Sequence, residues 1–147
     1  MPSSHIASYF HLVFSTKNRL PLLAVEWRER LHAYLGGIVK GMDAVPLAVG
    51  GVSDHVHLQV SLKSKHRLDY FLRNLKADSS AFVHQELLKT FEWQKGYGAF
   101  SVSPANISKV SNYVLNQEKH HRKKTFVEEY IELLELSGIE YDERYLW

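Results

Sequence analysis

Two histidines separated by a single residue are the first feature of the sequence that could do chemistry. His55 and His57 lie in the segment SDHVHLQVSL, residues 53–62, in which apolar residues alternate with polar ones. Residues two apart in a strand project from the same face, so the two imidazoles leave the strand together, about 7 Å apart at their Cα atoms. Two imidazole nitrogens at that spacing can bind one divalent cation. The same pair is also compatible with polar residues on a solvated face of a sheet.

A second group of polar residues occurs in the segment SNYVLNQEKHH, residues 111–121. The spacings i, i+4 and i+7 or i+8 give these side chains one common helix face: Tyr113, Gln117 and either His120 or His121. A phenol, an amide oxygen and an imidazole would then project side by side. A tyrosine at the edge of the core with solvated neighbours would give the same pattern, and Tyr70, with Asn74 four residues later, has a comparable amide neighbour.

The periodicity of the sequence predicts the elements that must position these residues. We expect strands at 8–15, twice within 45–62 and at the end of 91–103, and helices at 26–41, at about 66–89, from Pro104 to about His121, and at 125–137. Ser103 is expected to cap the third helix and Gly138 to end the last one. This order predicts an α+β, ferredoxin-like or RRM-like sandwich. Its four-stranded antiparallel sheet has helices on one face, and the C-terminal helices carry the tyrosine.

Composition narrows the class of protein. A chain of 147 residues with 45% hydrophobic content is long enough for one domain, and we assign residues 1–147 to it. The absence of cysteine excludes disulfides, thiolate metal sites and cysteine nucleophiles. No segment approaches the roughly 18 apolar residues that a membrane span requires. We therefore expect a soluble, cytoplasmic protein without a membrane partner.

Basic residues are concentrated in three short segments, although the formal net charge is only +2. These segments are TKNR (16–19), KSKHR (63–67) and KHHRKK (119–124). Basic segments of this kind can contact the phosphates of nucleic acid, and the residues expected to do so are Lys17, Arg19, Lys63, Lys65, Arg67, Arg122 and Lys123. The alternative for each segment is that its exposed basic residues only solvate the surface. The acidic segment from Glu128 to Glu135 is interpreted as a solvated helix face.

Several of these segments resemble a known family. The string DHVHL resembles the histidine–hydrophobic–histidine motif of HUH nucleases. The strings WQKGYGAFSVS, YVLNQEKHHRKKTF and GIEYDERYLW resemble the single-tyrosine transposases of the insertion sequence 200/605 family, the IS200-like transposases. The resemblance extends from HLVFSTKNR to the C-terminus, which is nearly the whole chain.

The resemblance implies a role for each residue of the candidate site. His55 and His57 would be metal ligands with Gln117 as the third, the ion would be Mg²⁺ or Mn²⁺, and Tyr113 would be the nucleophile. Members of the family cleave and rejoin single-stranded DNA with hairpin ends through a 5′-phosphotyrosine. They act as homodimers, in which the tyrosine helix of one subunit can complete the histidine pair of the other. We therefore expect a homodimer with a shared site.

Two alternative functions fit the same sequence. A catalytically silent nucleic-acid-binding module would keep the fold and the basic loops without needing the histidine pair, the glutamine and the tyrosine together. A related single-tyrosine nuclease acting on dispersed chromosomal repeats would need all of them and would differ in its DNA substrate. The sequence favours an enzyme and does not separate the last alternative from a transposase.

Overall fold

The computed structural model describes residues 4–146. Its strands and helices are, in chain order, β1 (Tyr9–Ser15), α1 (Val25–Gly41), β2 (Val45–Gly51), β3 (His55–Ser61), α2 (Leu68–Glu86), β4 (Gly98–Val102), α3 (Ile107–Leu115), α4 (Gln117–His120) and α5 (Phe126–Leu136). The predicted order of strands and helices is confirmed, with the third predicted helix divided into α3 and α4. Among the described residues, no helix combines the length and apolar character that crossing a membrane requires.

The strands form one antiparallel sheet in the order β2-β3-β1-β4. The α+β fold class predicted from the sequence is therefore confirmed. His57 lies in the interior of this sheet, because it pairs with Val13 of β1 on one side and with Gly50 of β2 on the other. Hydrogen bonds to both neighbouring strands restrain the backbone of β3 and therefore the direction in which its side chains project.

One face of the sheet packs against α1 and α2. Phe14 and Leu58 project from this face and are fully buried, as are Leu35 of α1 and Leu72 of α2, which belong to the same apolar cluster. Burying a side chain of this size contributes about 1.5–3 kcal/mol to the free energy of unfolding. This cluster forms the main core, and the two histidines of β3 project from the opposite face.

The opposite face of the sheet is covered by the C-terminal helices. His55, His57 and Gln59 are all fully buried there, so the interpretation of this surface as solvated is wrong. The Gln59 amide donates to the carbonyl oxygen of Ile107 at 3.0 Å. A Cβ atom at Gly50 would lie 2.1 Å from the carbonyl oxygen of Val114, so only glycine lets α3 approach β2 this closely. The tyrosine helix therefore lies directly on the histidine face.

The helix predicted from Pro104 to His121 is interrupted. A 3-10 turn at Pro104–Asn106 precedes α3, and the backbone leaves helical geometry at Asn116, with φ −107° and ψ 31°, before α4 begins. The Asn116 side-chain amide donates to the carbonyl oxygen of Asn112 at 2.7 Å, a local bond that competes with continued helix. The predicted Ser103 cap is also wrong in detail, because its side chain accepts no capping hydrogen bond.

The last helix is fixed at both ends. Thr125 and Glu128 form a capping box in which each side chain accepts from the backbone N–H of the other residue. At the far end Gly138 adopts φ 67°, a left-handed conformation that favours glycine and ends the helix as predicted. Buried Phe126, Tyr130 and Leu134 hold α5 in a second apolar cluster, which joins it to the sheet.

Candidate metal and nucleophile site

The two histidines of β3 each use Nδ1 for a hydrogen bond and present Nε2 to a common interior space. His55 Nδ1 lies 2.7 Å from a carboxylate oxygen of Asp54, which accepts its N–H. His57 Nδ1 lies 2.7 Å from Nε2 of His11 on β1. Metal-binding histidines are commonly oriented by such a second partner. Both Nε2 atoms are therefore directed to the same side of the sheet.

Burial keeps His57 and His11 neutral. It lowers the pKa of His57 to about 4 and, together with the nearby His57, lowers the pKa of His11 to about 3. Neutral imidazole is the form that binds metal ions. Neutral His57 can therefore bind a metal ion through Nε2 if the ion replaces the hydrogen bond from this nitrogen to Glu129.

Glu129 of α5 and His121, which follows α4, complete a cluster of donor atoms around the histidine pair. Glu129 Oε1 lies 3.0 Å from Nε2 of His57, 3.2 Å from Nε2 of His121 and 3.5 Å from Nε2 of His55. The four donor atoms of this cluster lie within 4.8 Å of one another. A buried group of three histidines and one glutamate could hold a metal ion.

Gln117 adds an amide oxygen to the same space. Its Oε1 lies 3.4 Å from Nε2 of His55 and 3.1 Å from Nε2 of His121. Its amide group donates to the carbonyl oxygen of Tyr113 at 3.0 Å, which turns the oxygen toward the cluster. Gln117 is 1% exposed, so this oxygen is directed to the protein interior and not to solvent.

The spacing and chemistry of these donors fit a divalent cation. Ligands about 2.1 Å from a metal are separated by about 3.0 Å along an octahedral edge and by about 3.4 Å along a tetrahedral edge. The contacts between the Glu129 oxygen and the histidine nitrogens, at 3.0–3.5 Å, fall at these values. Imidazole, amide and carboxylate donors accept Mg²⁺ or Mn²⁺ as well as Zn²⁺ and related ions.

Tyr113 of α3 lies beside this cluster in the same chain. Its ring centroid is 5.7 Å from that of His57, and its hydroxyl donates a hydrogen bond to Glu129 Oε2. Burial, and then the negative charge of Glu129, raise the pKa of Tyr113 above its ordinary value. Burial alone would raise the pKa of Glu129 as well, but hydrogen bonds from His121, His55 and His57 lower it well below its usual range. A protonated phenol thus faces an ionised carboxylate.

The structure brings together all four residues that the sequence and the family resemblance predicted for the site, namely Tyr113, His55, His57 and Gln117. Of the two candidate histidines after the tyrosine, His121 faces the cluster, where its ring contacts that of His55. The ring of His120 packs against Tyr113, with 4.7 Å between the two ring centroids. Tyr70, the other tyrosine with an amide neighbour, is on α2, which packs on the opposite face of the sheet, and is 42% exposed. The chemical roles of the four residues stay predictions.

Sequence reasoning missed Glu129, His11 and Asp54. The interpretation of the acidic segment as a solvated helix face is wrong at Glu129, which is 4% exposed. A signal was present, because Glu129 falls three residues after Phe126 and directly before Tyr130, on the apolar stripe of α5. His11 and Asp54 gave no comparable signal, since only the strand pairing brings His11 to His57.

The predicted site shared between two subunits is not required by the geometry. The tyrosine helix lies on the histidine face of its own chain, where the Tyr113 and His57 rings are in contact. The close approach of Val114 to Gly50 fixes α3 in this position. One chain therefore contains every residue predicted for the site.

The predicted DNA-contacting residues divide into two groups in space. Arg19, Arg122 and Lys123 line a cavity of about 490 Å³ that also includes Asp54 and His121 of the site. Lys17, nearby on the same loop as Arg19, is exposed and forms an ion pair with Glu92 at 3.1 Å.

The second group lies beyond the other end of β3, about 20 Å along the strand from His57. Lys63 and Lys65 both pair with Asp43, at 2.8 and 2.7 Å. Arg67 pairs with Asp69 and lies over the ring of Tyr70. This group is therefore not adjacent to the metal and nucleophile site.

A ferredoxin-like sheet with a buried histidine pair beside a tyrosine agrees with the HUH class of DNA-processing enzymes. The family model described as "Transposase IS200 like" matches residues 4–117, and the chain belongs to this family. It is therefore a transposase, an enzyme that acts on DNA.

Solved structures support the fold. A candidate transposase from Deinococcus radiodurans matches with a TM-score of 0.64 and 22% identity, over 80% of this chain and 96% of that one. A REP-associated tyrosine transposase bound to a REP hairpin matches with a TM-score of 0.56 and 15% identity, over 78% of this chain and 68% of that one. No curated protein matches the chain significantly.

Proposed function

We propose that this transposase cleaves and rejoins single-stranded DNA through a covalent 5′-phosphotyrosine on Tyr113. The observation that carries the proposal is the position of the Tyr113 hydroxyl. It donates to one oxygen of the Glu129 carboxylate, and the other oxygen contacts the Nε2 atoms of His55 and His57. A nucleophile next to a buried set of metal donors is the arrangement that metal-assisted attack on a phosphodiester requires.

His55, His57 and Gln117 hold Mg²⁺ or Mn²⁺ in this proposal, with His121 and Glu129 as further donors. When bound there, the ion supplies charge stabilisation to the non-bridging oxygens and to the leaving oxygen of the phosphodiester. Asp54 and His11 keep the two imidazoles turned so that each Nε2 faces the ion.

The reaction exchanges one phosphoester bond for another. Tyr113 Oη forms a bond to phosphorus, the bond from phosphorus to the 3′-oxygen breaks, the phenol proton is lost and the leaving 3′-oxygen takes up a proton. The products are a 5′-phosphotyrosine on the protein and a free 3′-hydroxyl on the DNA. Because the bond energy is conserved in the adduct, a 3′-hydroxyl can reverse the step without ATP.

The substrate that we propose is single-stranded DNA carrying a hairpin. The cavity lined by Arg19, Arg122 and Lys123 borders the site and would hold the phosphates of the strand to be cleaved. The solved relative bound to a REP hairpin supports a hairpin substrate and keeps a second function open, action on dispersed repeats. A silent binding module would not need a half-buried tyrosine beside a cluster of metal donors.

The experiment that tests the proposal is formation of a covalent adduct. The protein is incubated with Mn²⁺ and single-stranded hairpin DNA taken from the flanks of its gene, labelled on the side 3′ to the expected break. We expect a labelled protein band that survives denaturation and disappears after protease treatment. The same assay with hairpins from dispersed repeats separates a mobile-element enzyme from a repeat-processing one.

We predict that the cavity beside the site contributes to DNA affinity through phosphate contacts. The double variant Arg19→Ala/Arg122→Ala should weaken hairpin binding and reduce the slope of log affinity against log salt by about 2, one for each lost contact. Fluorescence anisotropy over a salt series measures both effects. Lys40→Ala/Lys89→Ala removes the same charge from exposed positions elsewhere, and an equal loss in that variant would contradict a specific path.

We predict that the site works within one chain, even if the chain forms the expected homodimer. A mixture of His57→Ala and Tyr113→Phe chains should stay inactive after co-refolding, because neither chain retains a complete site. Adduct formation by verified heterodimers is the readout. Recovery of activity in the mixture would show instead that the tyrosine helix exchanges between subunits.

A further inference from the structure

Glu129 is the one glutamate of α5 that contacts both halves of the proposed site. Its Oε1 faces the three histidine nitrogens, with the shortest contact at 3.0 Å to His57, while its Oε2 accepts the hydroxyl hydrogen of Tyr113. The two oxygens of a single carboxylate thus connect the metal donors to the nucleophile. Both Glu129 and His121 lie beyond residues 4–117, the segment that the family model matches.

The position of this carboxylate is determined by the fold of α5. The capping box at Thr125 starts the helix, and buried Phe126 and Tyr130 on either side of Glu129 anchor its inner face to the sheet. A buried carboxylate is costly unless it is paired and hydrogen-bonded, and Glu129 has such partners on both oxygens. The side chain therefore cannot rotate to solvent without losing these contacts.

We propose that Glu129 is a positioning residue that binds the metal ion through one carboxylate oxygen and orients the Tyr113 hydroxyl with the other. The inference rests on the proposed function for the role of Tyr113. Glu129 would hold the Tyr113 hydroxyl next to the residues that bind the ion. Loss of the carboxylate then affects two separate quantities, the affinity for the ion and the rate of attack when the ion is saturating.

A purely structural role for Glu129 makes a different prediction. If the carboxylate only stabilises the packing of α5, its replacement lowers the free energy of unfolding without a specific change in metal affinity or in the rate of adduct formation by folded protein. Measurements on the folded fraction at saturating Mn²⁺ distinguish the two roles.

The test compares Glu129→Gln with Glu132→Gln, which removes the charge of an exposed glutamate on the same helix. Calorimetric titration with Mn²⁺ alone should show at least 10-fold weaker binding in Glu129→Gln and wild-type binding in Glu132→Gln. At saturating Mn²⁺ and hairpin DNA, Glu129→Gln should form adduct about 100-fold more slowly, with the KM for DNA unchanged. Circular dichroism confirms that both variants are folded.

The conservative variant Glu129→Asp distinguishes the effect of the negative charge from the effect of side-chain length. It keeps the negative charge but withdraws the carboxylate by one methylene, so Mn²⁺ binding should be retained within about 10-fold while the adduct rate falls as in Glu129→Gln. This variant also provides the test if Glu129→Gln does not fold. Wild-type Mn²⁺ affinity in folded Glu129→Gln, or a wild-type adduct rate at saturating Mn²⁺ in either variant, would overturn the inference.

Failure of this inference is distinguishable from failure of the proposed function. If the wild-type protein forms no adduct with any hairpin, the proposed function fails, and the Mn²⁺ titrations alone still decide whether Glu129 is a ligand. If the wild-type protein forms the adduct and both Glu129 variants do so at the same rate, only the role of Glu129 is wrong.

Discussion

Replacing Tyr113 by phenylalanine is expected to abolish the covalent protein–DNA adduct. The substitution removes one hydroxyl group and leaves the ring, which packs against the His57 and His11 rings. Because the proposed phosphotyrosine bond forms on the hydroxyl that is removed, we expect a loss of more than about 1,000-fold in adduct yield under single-turnover conditions. Denaturing electrophoresis of labelled hairpin DNA after incubation with Mn²⁺ measures it.

The binding and stability of this variant should change little. Glu129 loses the hydrogen bond from the phenol but keeps its contacts with the histidines, so the free energy of unfolding should fall by about 1–2 kcal/mol at most. Hairpin affinity should stay within about threefold of wild type. Tyr70→Phe is the matched control, because Tyr70 lies on the other face of the sheet, and an adduct lost in that control and retained in Tyr113→Phe would transfer the role of nucleophile to Tyr70.

The sheet and its main core were predictable because periodicity records burial. The alternation around His55 and His57 and the helical spacing in α1 and α2 place apolar side chains on one face of each element. That pattern fixes which face packs inward. It says less about the opposite face, where a polar side chain is buried only because another part of the chain covers it.

The histidine face shows this limit clearly. Gln59 is polar and fully buried, and what covers it is α3, whose approach depends on the missing side chain at Gly50. The sequence alone does not identify Gln59 or Gly50 as part of an interface between the sheet and a helix. The family resemblance supplied the link between the histidine strand and the tyrosine helix that local pattern could not.

Glu129 illustrates a different limit. Acidic residues are usually exposed, so a glutamate in an acidic helix is first assigned to the solvated side. Its place on the apolar stripe of α5 indicated that it is buried. The role of a single buried carboxylate can be predicted only when the residues that it contacts are known. Those partners, His57 and Tyr113, are 72 and 16 residues away in the chain.

Asn116 marks the limit for helix boundaries. The apolar stripe of Ile107, Val110 and Val114 predicted one helix that continues to about His121. At Asn116, between Tyr113 and Gln117, a side-chain hydrogen bond to the Asn112 carbonyl oxygen competes with the helical backbone. The break leaves the i to i+4 contact between these two residues intact, since the Gln117 amide still donates to the Tyr113 carbonyl oxygen. The prediction that Tyr113 and Gln117 are neighbours was right, although the predicted helix was not continuous.

Removing the metal, or the ligand at the centre of its site, is expected to abolish cleavage as well. Excess chelator should reduce adduct formation by the wild-type protein to background, and added Mn²⁺ or Mg²⁺ should restore it. The order in which different ions restore activity identifies the working ion, because a histidine-rich site also accepts ions such as Zn²⁺ that need not support catalysis. Cleavage at the full rate in excess chelator would refute the metal-dependent mechanism.

His57→Ala should reproduce the effect of the chelator in the presence of metal. His57 is fully buried in a central strand, pairs through Nδ1 with His11 and points Nε2 at Glu129, so its loss removes a donor from the middle of the cluster. We expect Mn²⁺ affinity to fall at least 10-fold and adduct formation at least 100-fold. His5→Ala, an exposed histidine, serves as the control for both measurements. Thermal unfolding monitors the fold, and a folded His57→Ala protein that binds Mn²⁺ and forms adduct like the wild type would exclude His57 from the metal site.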